Sequence, residues 1–168
     1  GRRWVLLKNA PRRSETRAPG VHLPVGILNG VSTSPHLPHD VAIVNNTVLS
    51  GWRTRKHAAL SIFVSPRYLA LERRNRPLIA NNVLARVMDG HLPCPGVRRS
   101  IRNVVAHGRT CSPSDSLGPP FLDATGRPTS RSLLLIDRAD AALAPPYDLT
   151  GRPRGSRPDI GAFEYVPR

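Results

Sequence analysis

Val41-Ala42-Ile43-Val44-Asn45-Asn46-Thr47-Val48-Leu49 is a β-branched apolar run interrupted only by an amide pair. Valine, isoleucine and threonine favour an extended chain, so the run reads as strand on both sides of Asn45-Asn46. The alternative is an ordinary hairpin turn, against which a two-residue hairpin calls for Asn-Gly and the residues after the pair continue as strand. A sharp bend between two strands instead needs a residue that tolerates a left-handed backbone, and asparagine does so best after glycine. The same pattern returns at Leu78-Ile79-Ala80-Asn81-Asn82-Val83-Leu84 and, less perfectly, at Ser100-Ile101-Arg102-Asn103-Val104-Val105-Ala106.

Lining up the asparagines gives a period. Asn9 to Asn45 is 36 residues, Asn45 to Asn81 is 36, and Asn82 to Asn103 is 21. Self-similarity at such intervals is the mark of stacked repeats, and a coil of a parallel β-helix takes roughly 20 to 25 residues before loop insertions. Stacked coils would set Asn9, Asn45, Asn46, Asn81, Asn82 and Asn103 above one another, with amides hydrogen-bonding along the axis as a ladder. The expected fold is therefore all-β, a parallel β-helix (a solenoid), with apolar neighbours of each pair facing a narrow interior. Between the ladders, His57 to Phe63 is expected to be a further strand and Tyr68 to Leu71 another. Residues 1–111 hold the coils and their loop insertions. Residues 112–168 hold the last coil, with Ser112 to Gly126 as loop and Leu133 to Ile136 as a last apolar rung, and the closing segment of the same domain.

Composition agrees with a turn-rich chain. Of 168 residues, 39% are apolar and 5% aromatic, with 13 glycines and 18 prolines, which argues against a helical bundle. No apolar run approaches the roughly 18 residues of a membrane span, and Trp4 to Leu7 is too short for a signal-peptide core. The opening Gly1-Arg2-Arg3-Trp4 leads us to expect a fragment of a longer protein, with export signal and earlier coils upstream. Twenty-five basic residues against 11 acids give a net charge of +14, but the only lysines are Lys8 and Lys56. The arginines are scattered among proline and glycine rather than concentrated on one element, so nucleic acid is not the expected partner, and GC-biased coding accounts for the skew. The charge would still draw the chain to polyanions at low salt. Cys94 and Cys111 match no zinc or redox spacing. They are either a disulfide, worth about 3 kcal/mol for a loop of roughly 17 residues, or two unrelated thiols.

The carboxyl end carries the most specific wording, Asp148-Leu-Thr-Gly-Arg-Pro-Arg-Gly-Ser-Arg-Pro-Asp159-Ile-Gly-Ala-Phe-Glu-Tyr165. Asp148 and Asp159 lie in sequence beside Arg152, Arg154 and Arg157, which suggests an acid–guanidinium clasp between turns. Ile160, Phe163 and Tyr165 are its sizeable apolar groups, expected to plug the end of the stack. The stretch resembles the ending of right-handed parallel β-helix proteins of the pectate-lyase-like superfamily, of the choice-of-anchor Q domain type. Asp148, Gly151, Arg154, Asp159, Ile160, Gly161, Ala162, Phe163 and Glu164 match that family's closing motif. Pro119-Pro120-Phe121-Leu122-Asp123 is similar to its Pro-x-Phe-x-Asp turn, and Leu135-Ile136-Asp137 to the end of its Ser-Pro-x-Ile-Asp, with Leu133-Leu134 in place of Ser-Pro. The resemblance implies a right-handed helix in a bacterial secreted or cell-surface protein that meets polysaccharide.

Lyases of that superfamily use lysine or arginine as base with Ca²⁺ held by acids, and hydrolases use spaced carboxylates. Arg53-Thr54-Arg55-Lys56-His57 is the best basic cluster but has no acidic cage beside it in sequence. Asp89-Gly90-His91 is a polar turn. Asp137 and Asp140 are the densest acid pair, with Asp115, Asp123 and Asp148 near in sequence, and these read as structural. His22, His36, His39 and His107 lack ligand spacing. Lys56, Arg53, Asp89 and His91 are thus the catalytic candidates. No metal or other cofactor is expected, Ca²⁺ only if the chain is a lyase. The expected role is structural and polysaccharide-interacting, against the alternatives of a polysaccharide lyase or glycoside hydrolase on an acidic glycan, or a basic nucleic-acid-binding protein. Oligomeric state stays open.

Overall fold

The computed structural model describes residues 5–6, 25–29, 42–48, 60–64, 78–86 and 99–167. Among them are ten strands and no helix: β1 (Val5–Leu6), β2 (Val25–Asn29), β3 (Ala42–Val44), β4 (Thr47–Val48), β5 (Leu60–Val64), β6 (Leu78–Ala80), β7 (Val83–Arg86), β8 (Arg99–Ile101), β9 (Val104–His107) and β10 (Ser116–Leu117). All strand pairings are parallel. One sheet runs β1-β3-β6-β8, a second β10-β9-β7-β4, and β2 pairs with β5.

Each amide pair joins a strand of the first sheet to a strand of the second. Asn45 (φ 53°) and Asn81 (φ 55°) hold the left-handed corner, and Arg102 (φ 51°) holds it in the third unit. The pairing continues through the corner, because the Asn45 amide donates to Ala80 O (3.1 Å) and the Asn81 amide to Ile101 O (3.0 Å). On the far side Val83 N donates to Asn46 O and Val104 N to Asn82 O, both at 2.8 Å. Aligned registers Ala42↔Leu78↔Arg99 and Thr47↔Val83↔Val104↔Ser116 follow from this shared geometry.

Side chains alternate across each strand. Val83 and Val104 therefore face one way, into a cluster with Leu135, Ala139 and Ile160. Leu84 and Val105, also buried, face the other way. Strands β7 and β9 are thus covered on both faces, and one cover is the carboxyl-terminal segment.

Three expectations are corrected here, and a fourth is met over its described residues. Leu133 to Ile136 is not a strand rung but a tight turn: Leu135 N and Ile136 N both donate to Ser132 O (2.8 and 3.1 Å). Local bonds outcompete a ladder, leaving Leu133 72% exposed and Leu135 fully buried. Ser112 to Gly126 is not plain loop, since it contains β10 and an ordered turn at Asp123. Of the strand expected over His57 to Phe63, residues 60–63 lie in β5, which continues to Val64 and pairs with β2 from Val25↔Leu60 to Asn29↔Val64; residues 57–59 lie outside the described residues. Finally, the closing segment lies along the flank of the units rather than across their end. Asn45 donates to the carbonyls of Asp159 (3.1 Å) and Gly161 (3.2 Å), while Gly161 N donates to Asn81 O (2.9 Å) and Ala162 N to the Thr47 hydroxyl (3.0 Å). These partners belong to the earlier units. Ile160, Ala162 and Phe163 are buried there, whereas Tyr165 is only half-buried. Tyr68 to Leu71 lies outside the described residues.

Candidate functional site

Two files of side chains run across the units. In the first, Asn46 donates from its backbone N (2.9 Å) and Nδ2 (3.1 Å) to Asn82 Oδ1. Asn82 repeats the gesture to Asn103 Oδ1 (3.0 and 2.9 Å), and Asn103 to Asp115 Oδ1 (3.0 and 3.0 Å). Each amide also satisfies a strand carbonyl: Asn46 that of Val44, Asn82 that of Ile43, Asn103 that of Ile79. Asn82 Oδ1, Asn103 Oδ1 and Asp115 Oδ1 each take two donors from one neighbour. The last member needs acceptors only, and an aspartate supplies them. Asp115 was not singled out among the ladder residues; the signal was the Ser114-Asp115-Ser116 wording one short step past Asn103. Asn9 lies outside the described residues.

The second file is the corner itself, and it holds the closing segment. Asn81 receives the Asp140 amide on Oδ1 (2.8 Å) and donates Nδ2 to the Asp140 carbonyl (3.0 Å), as a strand residue would, with a further bond to Asn45 Oδ1 (3.1 Å). In the third unit Arg102 does the same work by reach, donating to the carbonyls of Arg138 (3.2 Å) and Ala139 (3.3 Å).

The acids of the closing segment behave differently from the expected clasp. Asp148 and Asp159 hold backbone amides rather than guanidinium groups. Asp148 accepts from Thr150 N (2.8 Å), the Thr150 hydroxyl (2.7 Å), Arg152 N (3.0 Å) and Glu164 N (3.1 Å). Asp159 accepts from Asp137 N (2.7 Å) and Tyr165 N (2.6 Å). Turn formation leaves several N–H groups pointing inward at once, and as donors to a carboxylate they lie closer to hand than a distant guanidinium. Arg157 instead lies 3.8 Å from Asp137, both exposed. The buried cation is Arg154, paired with Glu164 and donating to the carbonyls of Asp159 (3.1 Å) and Gly161 (2.8 Å). Its Nε is the one buried side-chain polar atom without a partner among the described residues.

Burial sets the carboxyl affinities. It pushes Asp159 above the ordinary carboxylate range despite its amide donors, and nearby Asp137 adds repulsion. It likewise raises Glu164, with Asp159 opposing its charge and Arg154 offsetting only part of this. For Asp148 burial is the largest influence, yet the Thr150 hydroxyl and three amides together outweigh it and leave the group below its usual value. Asp123 is also lowered, chiefly by the Thr125 hydroxyl.

Asp123 and Asp148 head twin turns that sequence reading missed. Asp123-Ala-Thr-Gly-Arg-Pro128 and Asp148-Leu-Thr-Gly-Arg-Pro153 share a wording and a bond set. In both, aspartate Oδ1 accepts from threonine N, its hydroxyl and arginine N. Antiparallel bridges Leu122↔Pro128 and Tyr147↔Pro153 close them, over left-handed Gly126 (φ 83°) and Gly151 (φ 85°). The Asp123 turn and the residues just after it place two cations on rings: Arg127 sits over Phe163 at 5.0 Å, and Arg131 over Phe121 at 4.4 Å. Phe121 itself is 39% exposed and held at φ 50°, its carbonyl fixed by the hydroxyls of Thr129 (2.7 Å) and Ser132 (2.9 Å).

Lys56, Arg53, Asp89 and His91, the catalytic candidates, lie outside the described residues. Among the described residues no group of three or more His, Cys, Asp or Glu could hold a metal ion. Asp115, Asp123, Asp148 and Asp159 each accept N–H donors from nearby backbone. No helix among these residues is long and apolar enough to cross a membrane. Cys111 is disulfide-bonded; Cys94, the chain's other cysteine, lies outside the described residues. No protein-family model, curated protein or solved structure matches the chain.

Proposed function

We propose that the chain is the carboxyl-terminal part of a right-handed parallel β-helix from a secreted or cell-surface protein, serving as a rigid scaffold that meets polysaccharide without catalysis of its own. The observation that carries this reading is the parallel register running through the same amide corner in successive units. A parallel crossover is right-handed in nearly all proteins, which agrees with the handedness implied by the family resemblance. The disulfide at Cys111 favours an oxidising compartment. The Phe121–Arg131 stack suits a sugar ring bearing a carboxylate, since the ring offers an apolar face and the guanidinium a two-pronged donor. The strained backbone at Phe121 is held in place by its surroundings, as functional surfaces often are.

Affinity electrophoresis through gels containing polygalacturonate, alginate or a neutral glucan tests the reading. The wild-type chain should be retarded by the acidic glycans, and Phe121→Asn with Arg131→Ala should weaken this about tenfold, the loss of roughly 1.4 kcal/mol. Release of unsaturated or reducing sugars, abolished by Lys56→Ala or Asp89→Ala, would replace the scaffold by a lyase or hydrolase. Retention of single-stranded DNA with steep salt dependence, and none of glycans, would replace it by a nucleic-acid binder.

A further inference from the structure

Among the described residues two guanidinium groups lie on aromatic rings, Arg127 over Phe163 and Arg131 over Phe121. Both arginines are exposed. Neither forms an ion pair among the described residues, unlike Arg154 with Glu164 and Arg157 with Asp137. Arg127 is close enough to Asp123 to help lower that carboxyl, but Asp123 Oδ1 is taken by Thr125 and by the Arg127 backbone amide. A guanidinium resting on a ring has its plane fixed, while its in-plane N–H groups stay available for a two-pronged bond to a carboxylate.

The backbone beneath both arginines is braced. Asp123 N donates to Arg127 O (2.9 Å), and Arg127 N donates to Asp123 Oδ1 (3.0 Å). Arg131 N donates to the Thr129 hydroxyl (3.3 Å), and Ser132 N to Thr129 O (2.9 Å). The same Thr129 and Ser132 hydroxyls fix the Phe121 carbonyl, so ring and cations belong to one tied turn. From Arg127 to Arg131 the backbone spans at most about 14 Å even when extended, short enough for one oligosaccharide to touch both. The rings differ in access. Phe163 is buried beneath Arg127, whereas Phe121 is partly exposed beside Arg131, so a sugar ring can lie against Phe121 and Arg127 offers charge alone. The twin turn gives an internal comparison. Arg152 follows Asp148-Leu-Thr-Gly as Arg127 follows Asp123-Ala-Thr-Gly, yet no ring lies beneath it among the described residues.

We propose that Arg127 and Arg131 are two successive anion subsites of one glycan site, and that the ligand they take carries carboxylates on neighbouring sugars, as a run of unesterified uronate does. The proposal rests on the glycan reading above and adds a selectivity to it. Once one carboxylate is held, the second binds as an intramolecular event, so affinity depends on having both. Donors fixed in advance spare the cost of ordering two long side chains.

Isothermal titration of the full chain at low, fixed salt tests this with galacturonate, unesterified tri-galacturonate and the methyl ester of that trimer. The wild-type chain should bind the acid trimer about tenfold or more tighter than the monomer, and the ester no better than the monomer. Arg127→Met keeps an unbranched side chain over Phe163 but removes the donors, and should weaken trimer binding about tenfold. Arg152→Met removes the same charge from the twin turn and should leave trimer binding at the wild-type level. The ester comparison needs no substitution, so it decides the matter even if Arg127→Met unsettles the cover on Phe163. Trimer binding that survives Arg127→Met, that Arg152→Met weakens equally, or that the ester matches would overturn the paired site and leave glycan binding standing. Absence of binding to all three ligands would remove the glycan reading itself, and the pair with it.

Discussion

At the scale of the residue, the two asparagines of each pair are not equivalent. The first, Asn45 or Asn81, adopts the left-handed corner, a backbone requirement that Arg102 also meets in the third unit. The second, Asn46, Asn82 or Asn103, makes no such turn and is kept for its amide, which is at once a double donor and an acceptor. Replacing Asn82 with leucine would leave Asn46 N and Nδ2 without the oxygen they share, and would take the side-chain donor from Asn103 Oδ1 and from the Ile43 carbonyl, all among buried residues. Orphaned buried groups cost about 1–3 kcal/mol each. Asn82→Leu should therefore lower unfolding free energy by about 3–5 kcal/mol, a size reserved for broken buried networks, as measured by urea titration. A midpoint unchanged from wild type would mean that the file of amides carries no stability.

At the scale of the element, the closing segment is a strap whose seat is set by a glycine. A Cβ on Gly161 would meet Thr47 Oγ1 at 2.8 Å and Val83 Cγ2 at 3.0 Å, and its φ is 104°. Gly151 also has a positive φ, 85°, but open space around it. The pair separates packing from backbone strain. Gly151→Ala should cost about 1 kcal/mol from strain alone, whereas Gly161→Ala should cost about 3 kcal/mol or more because the strap must lift from β4 and β7 as well. Thermal unfolding of both variants side by side checks this; equal losses would show that the strap does not depend on close approach at Gly161. The twin aspartate turns belong to this scale too. Asp-x-Thr-Gly-Arg-Pro occurs twice in plain view, yet periodicity read from asparagines passes over it, because a turn stabilised by its own side chain leaves no apolar rhythm.

At the scale of the whole molecule, the carboxyls pull stability in opposite directions with pH. Asp123 and Asp148 are lowered in the folded chain, so their contribution is present above the unfolded value of about 3.9 and is lost as pH falls through the folded ones. Asp159 and Glu164 are raised. Their contribution is complete below unfolded values of about 4 and is lost as pH rises through the folded ones. Melting temperature should accordingly climb as pH is lowered from 7 towards about 5, then fall below about 4. Glu164→Gln should flatten the climb and Asp148→Asn the fall, in melts followed by circular dichroism across that range. A profile that only declines from pH 7 downward would contradict the assignment of the strap acids.

The strands and corners could be read from the chain because they rest on local chemistry. A β-branched run broken by an amide pair, recurring at fixed intervals, specifies extended backbone and a left-handed step wherever it occurs. Arg102 escaped that reading since arginine has no special liking for the corner; its place follows from the units on either side. The sequence also marked Asp148, Arg154, Asp159 and Glu164 as belonging together, but not who bonds to whom. Which donors surround a carboxylate depends on where turned backbone points its N–H groups, and that exists only after folding. Likewise, apolar Ile160 and Phe163 announce burial without naming a surface. That Ile160 packs against Val83 and Val104, with Asn45 holding the carbonyls on either side of it, was decided by tertiary structure, because only stacked units bring residues more than a hundred positions apart into one hydrogen-bonded seat.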